Sequence, residues 1–213
     1  MQVISVNVGA KTPIKVGDRE AQTGIFKKPV DHSVEVKALG ITGDQVLDGR
    51  HHGGVDQAVY LYRAEDYAYW TEKLGRDLAP GTFGENLTLA GLPEPSLGIG
   101  DRLVFDQVEL EITAPRIPCG LFAARMGDKT FAKQFFKAER PGFYARVLKS
   151  GIIQPNESFT TIPANIDTVS TVQFFRDLSG KLDEKTLRHY LSLPISVRVR
   201  DDFSAQLEKV TRS

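Results

Sequence analysis

The sequence predicts a mainly β fold with some helices over residues 1–163, followed by a small three-helix segment over residues 164–213. Three observations carry this. Short stretches of alternating apolar and polar residues recur up to Leu148, which is the period of half-buried strands. Only a few segments before Pro163 show helical spacing. After Pro163 the texture changes to three short helical patterns, each opening on an aspartate.

Taken in order, Val3-Ile4-Ser5-Val6-Asn7-Val8 alternates as a strand does, and His32–Val36 and Ala58–Tyr62 are further strand candidates. Between them runs a loop with Gly40, Gly43, Gly49, Gly53 and Gly54, a density that permits positive φ and close backbone approach to a ligand. Ala64–Leu74 reads as a helix, with Tyr67, Trp70 and Leu74 on one face and Gly75 as its stop. Asn86–Leu89, Arg102–Phe105 and Val108–Thr113 read as strands, the last two as a hairpin around Asp106-Gln107. Leu121–Met126 is a short helix candidate. Asp128–Ala138 is a helix with Asp128 as cap and Phe131 and Phe135 inward, and Phe143–Leu148 is another strand. In the tail, Asp167–Leu178, Asp183–Leu193 and Asp201–Val210 are the three helices, each capped by its aspartate.

Composition narrows the function classes. The 213 residues carry 27 Lys and Arg against 27 Asp and Glu, so no general basic field exists for a phosphate backbone. The 41% hydrophobic and 25% charged fractions are those of a globular chain. No apolar run is long enough to span a membrane, and the start does not pattern as a signal peptide. A single cysteine excludes an intrachain disulfide and a Cys-x-x-Cys zinc site, which points to a reducing cytoplasm.

That cysteine sits in Ala114-Pro115-Arg116-Ile117-Pro118-Cys119-Gly120. Two prolines stiffen the segment, Gly120 leaves space beside the sulfur, and Arg116 together with a following helix favours the thiolate. A thiolate is a nucleophile, a redox handle or a soft metal ligand; a buried cysteine that merely packs is the competing reading. A second cluster is Asp48-Gly49-Arg50-His51-His52-Gly53-Gly54-Val55-Asp56-Gln57. Adjacent histidines diverge in extended chain, so the pair does not make one metal site. His52 is either a donor to a ligand lying against the glycines or a turn residue bonded to a carbonyl. In Gly81-Thr82-Phe83-Gly84-Glu85-Asn86-Leu87, the Asn86 amide suits the edge of a heterocycle, Phe83 reads as core, and Glu85 orients a basic partner or faces solvent. There is no Walker A loop and no Gly-x-Ser-x-Gly elbow.

Taken together, Gly43-Asp44, His52-Gly53-Gly54-x-Asp56, Phe83-Gly84-Glu85-Asn86-Leu87 and Pro115-Arg116-x-Pro118-Cys119 resemble, in order and spacing, the MOSC domain shared with the C-terminal part of molybdenum cofactor sulfurase. The similarity is to its bacterial YiiM-like branch, which also carries a three-helix C-terminal segment, so it covers nearly the whole chain. It implies a MOSC-type β-barrel at 1–163 holding a molybdenum–molybdopterin cofactor, with Cys119 as the protein ligand to the metal. It implies two-electron reduction of N-hydroxylated compounds, hydroxylaminopurines or amidoximes, to amines. On this reading Arg116 balances charge at the thiolate or cofactor. His52 and Asn86 bond the pterin or place substrate. Gly53 and Gly54 let backbone N–H groups approach, and Asp56 bonds the pterin or organises its loop. Two positions depart from the pattern: Gln57 stands where a basic residue is expected, and Ile117 where some relatives carry serine.

No flavin or nicotinamide fingerprint accompanies these motifs, so an external flavoprotein reductase is the expected electron donor. The helical tail either docks that partner, mediates self-association or extends the core. Two other classes compete with the reductase. One is a non-catalytic cofactor or sulfur carrier using a Cys119 persulfide. The other is a cofactor-free binding protein in which Cys119 is packing.

Overall fold

The alternation Val59-Tyr60-Leu61-Tyr62 organises the molecule. A strand sends successive side chains to opposite faces, and here both faces are buried. Val59 and Leu61 join an aliphatic core with Val3, Val6, Leu103 and Ile112. Tyr60 and Tyr62 join an aromatic core with Trp70, Phe83, Phe122 and Phe135. The computed structural model describes residues 1–47, 53–92 and 97–212.

The elements in chain order begin with β1 (Gln2–Val8), β2 (Thr12–Val16), β3 (Arg19–Thr23), β4 (Lys28–Val30), β5 (Val34–Lys37) and β6 (Gly40–Ile41). A single 3-10 turn (Val55–Gln57) leads into β7 (Val59–Arg63), α1 (Ala64–Leu74), β8 (Leu87–Ala90), β9 (Arg102–Val104) and β10 (Glu109–Pro115). Then come α2 (Gly120–Met126), α3 (Phe131–Ala138), β11 (Phe143–Lys149), β12 (Gly151–Ile153) and β13 (Thr160–Ile162). The tail holds α4 (Thr171–Asp177), α5 (Glu184–Ser192) and α6 (Val197–Thr211).

The main sheet has eight strands in the order β13-β9-β10-β11-β7-β8-β1-β4, antiparallel except for the β7–β8 pair. The expected closed barrel is not formed as a continuous ladder. Among the described residues a short bridge joins β1 to the segment before β13: Val3 N–H donates to Glu157 O at 2.9 Å, Asn156 N–H to Val3 O at 2.8 Å and Phe159 N–H to Met1 O at 3.2 Å, around the Gln2–Ser158 pair. The pairing is confined to residues 1–3 and 156–159 and is bounded at one end by the left-handed Asn156 (φ 65°). Two small sheets, β12-β5-β6 and the β2–β3 hairpin, lie beside it.

Helix α1 spans the expected residues and stops at Gly75, which is left-handed at φ 62°. The Asp106-Gln107 hairpin forms, with Leu103 opposite Leu110. The caps differ from the sequence expectation. Asp183 does cap α5, accepting from Thr186 N–H at 2.8 Å. Helix α4, however, starts under Ser170, and Asp201 lies inside α6. Asp128 accepts from Thr130 N–H at 2.7 Å one turn before α3 begins. At α4 the Ser170 hydroxyl and at α6 the distant Asp56 carboxylate take the capping place, so the aspartate nearest the pattern is not needed there.

The tail is fastened to both cores. Phe174 of α4 packs in the aliphatic cluster with Tyr190 and Phe203, and Phe175 in the aromatic one. Trp70 donates to the Tyr62 hydroxyl at 2.7 Å and lies parallel to Phe135 at 5.8 Å. Phe135→Ala removes the ring that Trp70, Phe83 and Phe122 share. A loss of about 3–5 kcal/mol is expected, measured by urea unfolding followed through the fluorescence of Trp70, the chain's single tryptophan.

Candidate functional site

Arg116 leaves the end of β10 with its side chain pointing inward, and it is 3% exposed. Its guanidinium donates to the Phe83 carbonyl and lies over the rings of Phe122 at 4.3 Å and Tyr60 at 4.8 Å. Aromatic faces and a carbonyl replace part of the water the cation has lost. Its Nε is buried with no hydrogen-bond partner among the described residues. Burial lowers the pKa of this group, and the neighbouring Tyr144, Tyr60 and Cys119 more than reverse that. Gly84 is needed here: at φ 78°, a Cβ would stand 2.9 Å from Ile25 Cγ1 and 3.3 Å from the guanidinium.

Pro118 brings the chain back out, so Cys119 is half-buried at the entry to α2. It lies on the walls of two cavities. The first is a slot of about 90 Å³. Its walls come from Gly24–Ile25, Gln45–Leu47, Gly53 and Tyr60, with Lys27, Asn86 and Arg116 at its polar side. The second is a larger bowl of about 430 Å³. Gln57, Cys119, Leu121 and Tyr144 line both. The cysteine is therefore not sealed in packing, as the cofactor-free reading would have it.

Among the described residues, one cation at the slot is paired and one is not. Lys27 forms a buried ion pair with Asp44, and burial lowers the lysine pKa while Asp44 opposes the shift. Asp44 also receives Gly9 N–H at 2.7 Å and Asn86 Nδ2 at 2.9 Å. Lys27 and Asp44 offset each other, so Arg116 supplies the net positive charge. Sequence reading did not single out Lys27, Tyr60 or Tyr144; the alternation of β7 and β11 could have placed the tyrosines on one face, but Lys27 carries no such signal.

The remaining sequence candidates separate. Asn86 borders the slot, but its amide is committed: Oδ1 accepts from Tyr60 N–H at 3.1 Å, and Nδ2 donates to Asp44 and to Asn7 O. It holds β7, β8 and β1 in register rather than presenting a free edge to a heterocycle. Gly53, at φ 86°, packs against Val46, where a Cβ would come within 2.7 Å of Cγ1. Gly54 lies away from the slot wall and starts the 3-10 turn, its carbonyl accepting from Gln57 N–H at 3.1 Å. Asp56 faces neither cavity. Its carboxylate pairs with Arg146 at 3.0 Å and accepts from Val197 N–H at 2.8 Å, which caps α6 from a distant loop. This is the loop-organising role. Arg50, His51 and His52 lie outside the described residues.

Glu85 does not face solvent. It is fully buried, with Oε1 accepting from Tyr67, Gly81 N–H at 2.7 Å and Thr88 at 2.8 Å, and burial raises its pKa. Among the described residues no group of three or more His, Cys, Asp or Glu converges, and no helix is long and apolar enough to cross a membrane.

The comparisons with known proteins agree with this geometry. The family pattern of the MOSC domain matches residues 48–160. The Bacillus subtilis (strain 168) protein YflK is 36% identical over 172 residues, which covers 81% of this chain and 77% of that protein. The crystal structure of YiiM from Geobacillus stearothermophilus aligns with a TM-score of 0.80 at 29% identity, over 97% of this chain and 98% of that one. A Gibberella moniliformis (strain M3125 / FGSC 7600) protein named Reductase is 29% identical over 147 residues, or 67% of this chain, which spans only 26% of that protein's length.

The Glu85 environment has a measurable consequence. A carboxyl whose folded pKa is raised stabilises the fold fully below its usual value of 4.5, and that contribution is lost as pH rises through the raised value. Glu85→Gln cannot ionise, so its stability relative to the wild type should increase from pH 4 to pH 8 in urea titrations. A difference that stays constant across this range excludes the buried carboxyl as the cause.

Proposed function

The chain belongs to the MOSC domain family, and from that premise we propose that it binds a molybdenum–molybdopterin cofactor and reduces N-hydroxylated compounds, hydroxylaminopurines or amidoximes, to their amines. The observation that carries this reading is the position of the single thiol: half-buried, shared by both cavities, and beside a guanidinium held without solvent.

The residues present fit such a group. Lys27, Gln57 and Arg116 line the slot, so it carries groups that a charged, hydrogen-bonding ligand would meet. Arg116 Nε and Gln57 Oε1 are buried polar atoms without partners among the described residues, and a polar ligand would satisfy them. Cys119 would hold the metal through Sγ, because a soft thiolate suits a soft metal environment. Arg116 would balance the negative charge gathered there. Gly53 would bring its backbone against the ligand, and His52 keeps its implied part as a donor to pterin or substrate. Tyr144 stands between the cavities, and burial raises its pKa, so its phenol holds its proton at neutral pH. When bound, the cofactor supplies two-electron chemistry which, with two protons, turns N–OH into N–H and water.

Native protein should therefore co-purify with stoichiometric molybdenum, measured by elemental analysis. Cys119→Ser should lose both the metal and the turnover of a hydroxylaminopurine, with an unchanged far-ultraviolet circular dichroism spectrum. Wild-type metal content in that variant would remove Cys119 from its role. A Cys119 persulfide seen by mass spectrometry, with no turnover, would favour the sulfur carrier instead.

The donor in this proposal is an external flavoprotein reductase. The loaded protein with NADPH alone is expected to be inactive and to gain activity on addition of such a reductase. Turnover without the second protein contradicts this arrangement.

A further inference from the structure

We propose that the bowl between the Pro115–Leu121 segment and α6 is the substrate pocket, that it takes an uncharged aromatic N-hydroxylated compound, and that the helical tail exists in part to wall it. The inference rests on the reading above for the kind of compound, and on the cavity itself for its place. The slot and the bowl meet at Cys119, Gln57, Leu121 and Tyr144. A ligand in the bowl thus meets the same cysteine that borders the slot.

The bowl is the roomier of the two, at about 430 Å³, within the roughly 300–1,000 Å³ of small-molecule sites. Its walls are mainly apolar: Pro115, Ile117, Leu121, Leu178 and Val199. Ile117 is 50% exposed at this wall, and a large exposed aliphatic side chain beside an apolar cavity is where ring surface can be covered. Leu178, Arg198, Val199 and Asp202 come from the tail, so without the α4 end and α6 the bowl has no outer wall. Arg198 and Asp202 also line it, one charge of each sign, so the charged side chains of the lining sum to zero.

Gln57 supplies the orientation. Its Oε1 is buried and lacks a hydrogen-bond partner among the described residues, at a position lining both cavities. A buried acceptor of this kind is satisfied by an O–H or N–H donor, which an N-hydroxylated group provides. Its place is fixed by the neighbouring Asp56, tied to Arg146 and to the first turn of α6. Gln57 is thus a positioning residue, and the neutral amide found where a basic residue was expected matches a neutral ligand.

The test uses the full chain and benzamidoxime as the probe, followed by amide chemical shifts in NMR. Shifts are expected at Gln57, Ile117, Val199 and Asp202, with smaller ones at Lys27 and Asn86. Val199→Trp should weaken binding at least tenfold. Asp202→Trp narrows the bowl from an exposed position on α6 and should do the same if Val199→Trp fails to fold. The wild type should bind benzamidoxime more tightly than its O-methyl ether, which lacks the hydroxyl donor, and Gln57→Leu should abolish that preference while retaining the ring affinity. Unchanged affinity in the folded tryptophan variants, shifts centred on the slot, or no binding at all would overturn the pocket. Turnover by loaded protein with an unaltered KM in Asp202→Trp would overturn it while leaving the reductase reading intact. Binding as expected but no turnover by loaded protein would sink the reductase reading alone.

Discussion

A cation without water is the constraint from which the rest of the site follows. Desolvating a guanidinium is costly unless ring faces and acceptors replace the hydration. Here the Phe83 carbonyl and the faces of Tyr60 and Phe122 do so. Each partner is set by a different element: Tyr60 by the alternation of β7, Phe122 by the inward face of α2, and the carbonyl by the turn that Gly84 allows. The three converge only because the aromatic core beneath them is continuous from Trp70 to Phe175. With Arg116 pinned inward, the two residues that follow carry Cys119 outward to the junction of the cavities.

A second tie joins the glycine-rich loop to the tail. Asp56 closes an ion pair with Arg146 of β11 and caps α6 at Val197, and its own carbonyl accepts from the Thr113 hydroxyl on β10. Loop, sheet and tail therefore meet at one carboxylate. This makes the tail part of the architecture around Cys119 rather than an outlying appendage, and its aromatic side chains continue the same cores. The two cavities differ in kind for the same reason. The slot is bounded mainly by strand and loop residues, whereas the bowl adds Leu178, Arg198, Val199 and Asp202 of the tail.

Strands and helices with strong local patterns were legible from the residues. The alternation at Val3–Val8, the helix from Ala64 to Gly75 and the Asp106-Gln107 hairpin depend on neighbours in sequence, and they stand where the pattern put them. The short strands β2, β3, β4 and β12 were not legible, because three to five residues carry too little periodicity to separate them from loop. The aspartate caps misled for a related reason: several oxygen-bearing side chains compete for each helix start, and Asp56 wins one from 141 residues away. Closure of the barrel is likewise a long-range property, decided by how many ladder steps form between Val3 and the 156–159 segment.

The sequence by itself determined the chemical inventory: one thiol behind Pro115-Arg116-Ile117-Pro118, a balanced charge, a glycine loop, and motifs sufficient to mark the MOSC family. Tertiary structure alone decided which of those groups are at liberty to act. Asn86 and Asp56 carry suitable atoms, but strand register and a distant helix end already occupy them. Gln57, the odd residue of its motif, keeps an unpaired oxygen between two cavities. Residue type fixes what a side chain can donate or accept, whereas its freedom depends on neighbours brought from far along the chain, and burial makes every such commitment binding.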